Sequence, residues 1–387
     1  MNTQAPAGDD TIRITATRQG GNVTQVKVHI PALAWMGTQV VGMTPAAATA
    51  HLSAHASHSP RAHACAVERA CAAALGEPPA ELDTQIATER ALAAEMADTH
   101  LRRLLIDWPP QFGFEPRLNR FAEFHRQLIA PLDPETAFAL GGDVLDLVAR
   151  EMLAGFFNQI RMPHGIGEFI DRLNAGGSLS SVMNGLIAMG PTSSPRGGPA
   201  QLLGMLSAAA WVSGVGSWPT ADFVRHPTFG GAPAETGPLA RHAPSPLVRL
   251  LLERGHRVSA RLFAKAIDVA DCASRMRYPY TDDVPPLVDA VQAGPLVGVA
   301  RVATARGTLL CWVRIADGVI ADCAMVPAGA WNFHPEGPFY REALSGPETG
   351  ENLEGARKRL NVLALALDPS IVHTVDVIER PAPKKRA

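Results

Sequence analysis

Gly230-Gly231-Ala232-Pro233-Ala234-Glu235-Thr236-Gly237-Pro238-Leu239-Ala240-Arg241 is the stretch that decides the fold, because it is the most specific string in the chain. Gly237 and Pro238 predict a loop, since glycine permits unusual backbone angles and proline fixes one of its own. We interpret Glu235 and Arg241 as structural residues, with the arginine paired beneath that loop. The string therefore predicts an ordered turn rather than a flexible linker.

Helical patterns lie on both sides of this string. Several of these helices are predicted to begin with a proline in the first turn or to end just before a proline. Residues 176–199 are instead rich in Gly, Ser and Pro and predict a loop with little to bury. The helical segments cover residues 45–76, 81–107, 133–158 and 244–276 within a helical core of about 45–276, with a further C-terminal helical segment at 352–373.

Alternating apolar residues near both ends of the chain predict strands. Residues 11–30 form two short runs around Gln19-Gly20-Gly21-Asn22, and residues 296–332 contain a β region whose last two strands meet at Ala316-Asp317-Gly318. Both turns are strong hairpin signals. We therefore expect an α+β fold, a single domain over residues 1–387 with a helix-bundle core and β-hairpin elements near both ends. The basic tail at 381–387 is expected to fray.

Composition excludes several classes of protein. The 387 residues are 47% hydrophobic and 19% charged with a net charge of −2, which gives no electrostatic reason to expect a nucleic-acid partner. Residues 1–10 do not resemble a signal peptide, and no run reaches the ~18 apolar residues of a membrane span. Five cysteines without a Cys-x-x-Cys pattern argue against a disulfide framework or a zinc knuckle. We expect a cytoplasmic protein.

Three further strings accompany the one quoted first. They are Ser59-Pro60-Arg61-Ala62-His63-Ala64-Cys65-Ala66, then Ala305-Arg306-Gly307-Thr308-Leu309-Leu310-Cys311-Trp312-Val313-Arg314-Ile315, and last Asp368-Pro369-Ser370-Ile371-Val372-His373. Together the four strings resemble, in order and spacing, the metal-site motifs of [NiFe]-hydrogenase large subunits. The resemblance implies that family's fold over nearly the whole chain.

The same resemblance implies that the usual metal site is lost. The four positions that carry nickel-binding cysteines in the family fall on Ala56, Ser59, Ser370 and His373. Alanine cannot ligate, and a serine hydroxyl is a poor ligand for a soft metal. We therefore expect no nickel and no hydrogen activation. His373 is the one of the four that could still bind a metal.

Two residues associated with the iron side in the family are present. His63 falls on the motif histidine, and Arg306 falls on the arginine that donates to a cyanide ligand of iron. A guanidinium suits such an anionic, acceptor-only ligand. Ser59, Ser370 and Cys65 complete the predicted cofactor-binding set, with Cys65 as the nearest thiol that could substitute for a lost ligand.

The combination of retained large-subunit motifs and lost cysteines resembles the HupK/HoxV branch of hydrogenase accessory proteins. That branch is also resembled by the string Trp331-Asn332-Phe333-His334-Pro335-Glu336-Gly337. The resemblance implies a non-catalytic scaffold that transiently holds an Fe(CN)2(CO) fragment. Its partners would be the small maturation chaperone that delivers the fragment and the hydrogenase large subunit, with no membrane partner. The alternative is a metal-free interaction protein that protects or docks immature subunits. A subunit of the complex I type is a third, less favoured interpretation.

Several residues admit two interpretations. His51 and His55 lie one helical turn apart and could chelate a metal, but a solvated helix that carries histidines is the simpler account. Cys71, Cys272, Cys311 and Cys323 are expected to be core residues, and His100 is expected to be a packed, hydrogen-bonded histidine.

Overall fold

The computed structural model describes residues 11–30, 35–159, 161–192, 195, 197–280, 284–346, 351–369 and 372–380. Within these residues, helices occupy most of the middle of the chain. They are α1 (Trp35–Thr38), α2 (Pro45–His55), α3 (Pro60–Ala74), α4 (Leu82–Arg102), α5 (Leu118–Leu128), α6 (Pro134–Asp146), α7 (Ile166–Leu173), α8 (Ser178–Ala188), α9 (Ala208–Val215), α10 (Ala221–Arg225), α11 (Pro238–His242), α12 (Pro246–Glu253), α13 (Arg257–Arg277), α14 (Ala328–Asn332), α15 (Pro338–Ala343) and α16 (Leu353–Leu367).

The strands form three sheets. They are β1 (Ile12–Gln19), β2 (Asn22–His29), β3 (Gln201–Leu202), β4 (Ala234–Glu235), β5 (Val288–Gly294), β6 (Val297–Thr304), β7 (Gly307–Ala316), β8 (Val319–Val326) and β9 (His373–Arg380). The orders are β2-β1-β9, β3-β4 and the antiparallel meander β5-β6-β7-β8. The hairpins predicted around Gly20-Gly21 and Asp317-Gly318 are confirmed.

The long helix α13 lies at the centre of the helical core. It packs against α4, α6, α11 and α12, while α3 packs across the four-stranded sheet. The contact between α3 and the sheet is close, because a Cβ at Gly298 would lie 1.9 Å from the carbonyl oxygen of Ala70. A second, smaller core joins the first hairpin and β9 to α16. The predicted α+β fold with a helical core is confirmed.

Some predicted boundaries were wrong. The C-terminal helical segment ends at Leu367 rather than at 373, because Asp368 adopts a left-handed conformation with φ of 59° and the chain then enters β9. The 45–76 segment is two helices with a break at residues 56–59, and the predicted loop at 176–199 contains α8. The 133–158 segment ends in a π-helical turn at Leu147–Met152. The single-domain prediction stays a prediction.

No helix in the described part of the chain is both long enough and apolar enough to cross a membrane. Helix α13 illustrates the reason, since its 21 residues carry many charged side chains.

Candidate functional site

The side-chain amide of Asn332 joins three of the sequence motifs. Its Oδ1 accepts from the backbone N–H of Thr236 at 3.1 Å, and its Nδ2 donates to the carbonyls of Arg306 at 3.4 Å and Leu367 at 3.3 Å. Asn332 itself is buried at the end of α14. One amide therefore fixes the segment that contains Thr236, the β6–β7 turn and the end of α16 against one another.

The contact between Gly307 and Thr236 shows why the β6–β7 turn needs glycine. Gly307 has φ of 143°, and an added Cβ would lie 2.2 Å from the Oγ1 atom of Thr236. That same Oγ1 accepts from the N–H of Thr308 at 3.2 Å. The β6–β7 turn, which carries Arg306, therefore packs closely against the segment that contains Thr236.

A single buried carboxylate lies among three cationic side chains. Asp368 accepts from Lys265 Nζ at 2.6 Å and from Arg103 Nε at 2.8 Å, and its Oδ1 lies 3.6 Å from Arg306 Nε. Burial alone raises the pKa of Asp368, but these three cations together hold it well below its ordinary value. Asp368 is therefore ionised at neutral pH, and the cluster keeps an excess of positive charge. Arg103 shares its charge with Asp107 as well, at 2.7 Å.

Beneath this cluster, α13 carries a row of buried charges. Arg257, Arg261, Lys265 and Asp268 follow one another at spacings of four, four and three residues, which places them on one helical face. Arg261 donates to Glu235 at 2.7 and 2.8 Å and to Glu342. These pairs compensate one another inside the core, as buried charges must.

The other end of this row confirms two structural interpretations. Arg241 donates to both oxygens of Asp268 at 2.9 and 2.6 Å, as expected for an arginine paired beneath its loop. His100 is fully buried and lies 2.7 Å from the same carboxylate, which also contacts His242. Asp268 thus ties α11 and α4 to α13.

Arg306 and His63 both contact Ser59, the residue that precedes α3. Arg306 Nη1 donates to the Ser59 hydroxyl at 3.5 Å, and His63 Nδ1 donates to the Ser59 carbonyl at 2.9 Å. Ser59 has φ of 47°, a left-handed conformation that turns the chain into the helix. The structure therefore brings together three of the predicted residues, Arg306, His63 and Ser59.

Two buried nitrogen atoms at this place have no hydrogen-bond partner among the described residues: Arg306 Nε and His63 Nε2. Burial lowers the pKa of His63, as does the nearby Arg306, while hydrogen bonds to the backbone oppose the shift. The imidazole is therefore neutral. With Nδ1 carrying the proton, Nε2 presents a lone pair. Buried polar atoms without partners are uncommon in proteins and indicate a ligand, water or ion.

His58 adds a second imidazole beside this place. Burial, then Arg306 and His63, lower its pKa to about 4. The 56–59 loop, through His58, and the first turn of α3, through His63, therefore place two neutral imidazoles near a buried guanidinium. Sequence analysis did not single out His58 for this site, although its place between Ala56 and Ser59, two predicted cysteine positions, was a usable signal.

The remaining predicted site residues are more dispersed. His373 is the first residue of β9; its Nε2 donates to Asn361 Oδ1 at 2.9 Å, and burial lowers its pKa. Cys65 is packed in the main hydrophobic core, where burial raises its pKa to about 12. Ala56 is buried at the end of α2 and offers no ligand atom. Ser370 lies outside the described residues.

His51 and His55 do not form a chelating pair. Their rings stack with centroids 4.5 Å apart, and His55 Nδ1 donates to the backbone carbonyl of His51 at 2.9 Å. In the described part of the chain, no three His, Cys, Asp or Glu side chains converge as a metal-binding group.

The sequence prediction of the site missed Asp368, Lys265 and Arg103. Asp368 stood in a quoted motif but was read only as a neighbour of Ser370. The spacing of charged residues along the predicted helix 244–276 was the available signal for Lys265, because ionisable residues on the buried face of a helix need partners.

Solved structures with a similar fold are hydrogenases. The chain superposes on the Ni-Fe-Se hydrogenase of D. vulgaris Hildenborough in the reduced state with a TM-score of 0.60 and 16% identity, covering 90% of this chain and 94% of that one. It superposes on an NAD+-reducing [NiFe]-hydrogenase with a TM-score of 0.56 and 13% identity, covering 90% and 93%. The chain therefore has the fold of [NiFe]-hydrogenase large subunits, as predicted. At this identity the likeness shows the fold alone.

Sequence relatives are hydrogenase expression/formation proteins. HupV of Azotobacter chroococcum is 32% identical over 39% of this chain and 40% of its own length, and HupK of Azotobacter vinelandii is 30% identical over 38% and 39%. HoxV of Cupriavidus necator is 26% identical over 82% of this chain and 84% of its own length. The first two alignments span about two fifths of those relatives. No protein-family model matches the sequence. The resemblance to the HupK/HoxV branch is confirmed.

Proposed function

We propose that this protein acts in the maturation of [NiFe]-hydrogenase as a non-catalytic scaffold that transiently holds an Fe(CN)2(CO) fragment. The fragment is cargo, received from a small delivery chaperone and passed to the hydrogenase large subunit. The relatives named as hydrogenase expression/formation proteins support the maturation role. The cytoplasmic location inferred from the cysteines stays a prediction.

The single observation that carries the proposal is the buried, partly unpaired Arg306. Its Nε has no hydrogen-bond partner among the described residues, and its nearest carboxylate is shared with Lys265 and Arg103. A cyanide ligand is an acceptor with negative charge at its nitrogen, so a guanidinium held in this way is suited to it. The excess positive charge of the cluster around Asp368 also favours an acceptor that carries negative charge, such as a cyanide nitrogen.

The absence of thiolates explains why holding would be temporary. Ala56 and Ser59 occupy two of the predicted cysteine positions, and neither supplies a soft anionic ligand. Cys65 does not compensate, because its thiol is buried in the core with a pKa of about 12. A fragment bound through weaker contacts can be released to a large subunit that does offer thiolates.

Infrared spectra test the proposal. Protein purified anaerobically from cells with active maturation machinery should show cyanide and carbonyl stretching bands with about one iron per chain. Arg306→Gln should remove or shift the cyanide bands. Arg314→Gln is the matched control, because Arg314 lies on the same hairpin but is about half exposed, pairs with Asp322 and lies over the ring of Trp218, away from the site.

The outcomes separate two functions. Wild-type protein without iron and without these bands overturns the scaffold proposal. If such protein still binds immature large subunit, and Arg306→Gln leaves maturation unchanged, the metal-free interaction protein is the correct account.

A further inference from the structure

We propose that the imidazole of His63, through Nε2, is an iron ligand that takes the place of a missing thiolate. This assignment rests on the proposed scaffold function and names the atom that would bind the metal. It differs from the prediction that placed the metal ligand at His373.

The orientation of the His63 ring is the first step. Nδ1 donates to the carbonyl of Ser59, four residues earlier, at 2.9 Å. This hydrogen bond fixes the tautomer and leaves the Nε2 lone pair available, which is how many metal-binding histidines are held by a backbone carbonyl. The residue is only 7% exposed, and Nε2 has no partner among the described residues.

The position of Arg306 is the second step. Its Nη1 reaches the hydroxyl of the same Ser59 at 3.5 Å, so the guanidinium and the imidazole both contact one residue. Its Nε is the second unpaired buried nitrogen. A metal with cyanide ligands would satisfy both atoms at once, because the metal accepts the Nε2 lone pair while a cyanide nitrogen accepts the Nε–H.

The bond count is simple. Ligation forms one dative Fe(II)–N bond from His63 Nε2, which replaces a bond that held the iron to the delivery chaperone, and it breaks no bond in this protein because the imidazole is already neutral. No proton is released and no electron is transferred. Fe(II) with two cyanides is neutral, so an imidazole ligand leaves the complex neutral, whereas a thiolate ligand would make it anionic.

His373 is a weaker candidate on the same grounds. Its Nε2 donates to Asn361, whose amide in turn donates to Gln111 at 2.7 Å. The ring is thus part of a side-chain hydrogen-bond network that a metal at Nε2 would have to break.

X-ray absorption and infrared spectroscopy of the full chain, isolated with its iron, provide the test. The iron edge should show nitrogen scatterers with imidazole multiple scattering and no sulfur. His63→Gln should lose more than half of the iron and shift the cyanide bands. His63→Cys should keep iron and show a sulfur scatterer, which guards against simple misfolding of the glutamine variant. His55→Gln, on the exposed face of α2, should match the wild type.

Wild-type protein that shows the bands, with His63→Gln retaining iron and unshifted bands, overturns the ligand assignment and leaves the scaffold function standing. Bands that vanish only in His373→Gln also overturn it. Wild-type protein without any bands or iron refutes the scaffold function instead.

Discussion

Replacing Asp368 with asparagine tests whether the buried charge cluster holds the site together. The carboxylate faces Lys265 and Arg103 at 2.6 and 2.8 Å and Arg306 at 3.6 Å, and it is 1% exposed. Asparagine keeps the shape but removes the charge that compensates these cations. Removing one partner of a buried ion pair costs about 3–5 kcal/mol, and we expect Asp368→Asn to lower the free energy of unfolding by that amount.

The expected thermal shift follows from the size of the chain. An unfolding entropy of about 2.1 cal/mol/K per residue over 387 residues converts this loss into about 4–6 °C in Tm. Because the folded pKa of Asp368 lies below its unfolded value, its contribution is fully present above about pH 4 and is lost only as pH falls further. Calorimetry and urea unfolding at pH 7 therefore measure the whole effect.

Asp107→Asn is the matched control for Asp368→Asn. Asp107 also pairs with Arg103, at 2.7 Å, but its side chain is 25% exposed, and we expect a loss below about 1 kcal/mol. Lys265→Met combined with Asp368→Asn should show a coupling of about 1–3 kcal/mol, since the two groups are in direct contact. Equal losses for Asp368→Asn and Asp107→Asn would refute the idea that one carboxylate organises the cluster.

Three other changes probe the turn and the loop around the site. Gly307→Ala should lower the free energy of unfolding, measured in urea, by several kcal/mol, because the added Cβ would overlap Thr236. Gly329→Ala, with open space around the glycine, should leave it nearly unchanged. Equal losses in the two variants would contradict this packing. His58 has a folded pKa of about 4, below an unfolded value near 6.5, so the stability of the protein should fall as the pH drops from about 6.5 to 4. His58→Gln should flatten this slope in a series of Tm measurements against pH. An unchanged slope would refute the role of His58 in it. Ser59→Cys should place a soft ligand beside Arg306 and slow release of the iron fragment several-fold, measured by infrared bands remaining after mixing with immature large subunit; unchanged release would count against weak ligation as the reason for transfer.

Local signals predicted much of the fold. The Gly20-Gly21 and Asp317-Gly318 turns and the prolines at helix starts act within a few residues, so the hairpins and several helices could be predicted from sequence. The strand β9 could not, because it pairs in parallel with β1 across more than 350 residues, and such pairing depends on contacts that no local pattern specifies. In β9, Val375 and Val377 alternate with polar residues, but this alternation is too short to predict a strand.

Helix α8 was missed for a different reason. The composition of residues 176–199, which is rich in glycine, serine and proline, predicts a loop, although α8 lies within this range. In the folded chain, buried Leu179, Val182, Met183 and Leu186 give it an apolar face that packs into the core. Tertiary packing thus overrides weak helix propensity here.

For the candidate site, resemblance to a family predicted Arg306 and His63, but not the carboxylate that lies beside Arg306. Asp368 meets Arg103 across 265 positions and Lys265 across 103. These partners come together only because α4, α13 and the end of α16 pack against one another.

The distribution of charge gives the strongest physical distinction between a holding site and a complete metal centre. A centre with four thiolates, Ni²⁺ and a neutral Fe(CN)2(CO) unit would bring a net charge of about −2 next to Arg306, Arg103 and Lys265, and that charge would help to compensate the cations. In this chain Asp368 faces all three, Asp107 also pairs with Arg103, and Glu95 acts on Arg306 from a greater distance. The local field therefore favours acceptor ligands carried by the cargo itself, such as cyanide, over a bare cation such as Ni²⁺, which those three side chains would repel. If the proposed scaffold function is correct, we expect a site of this charge to accept iron that arrives with its anionic ligands attached.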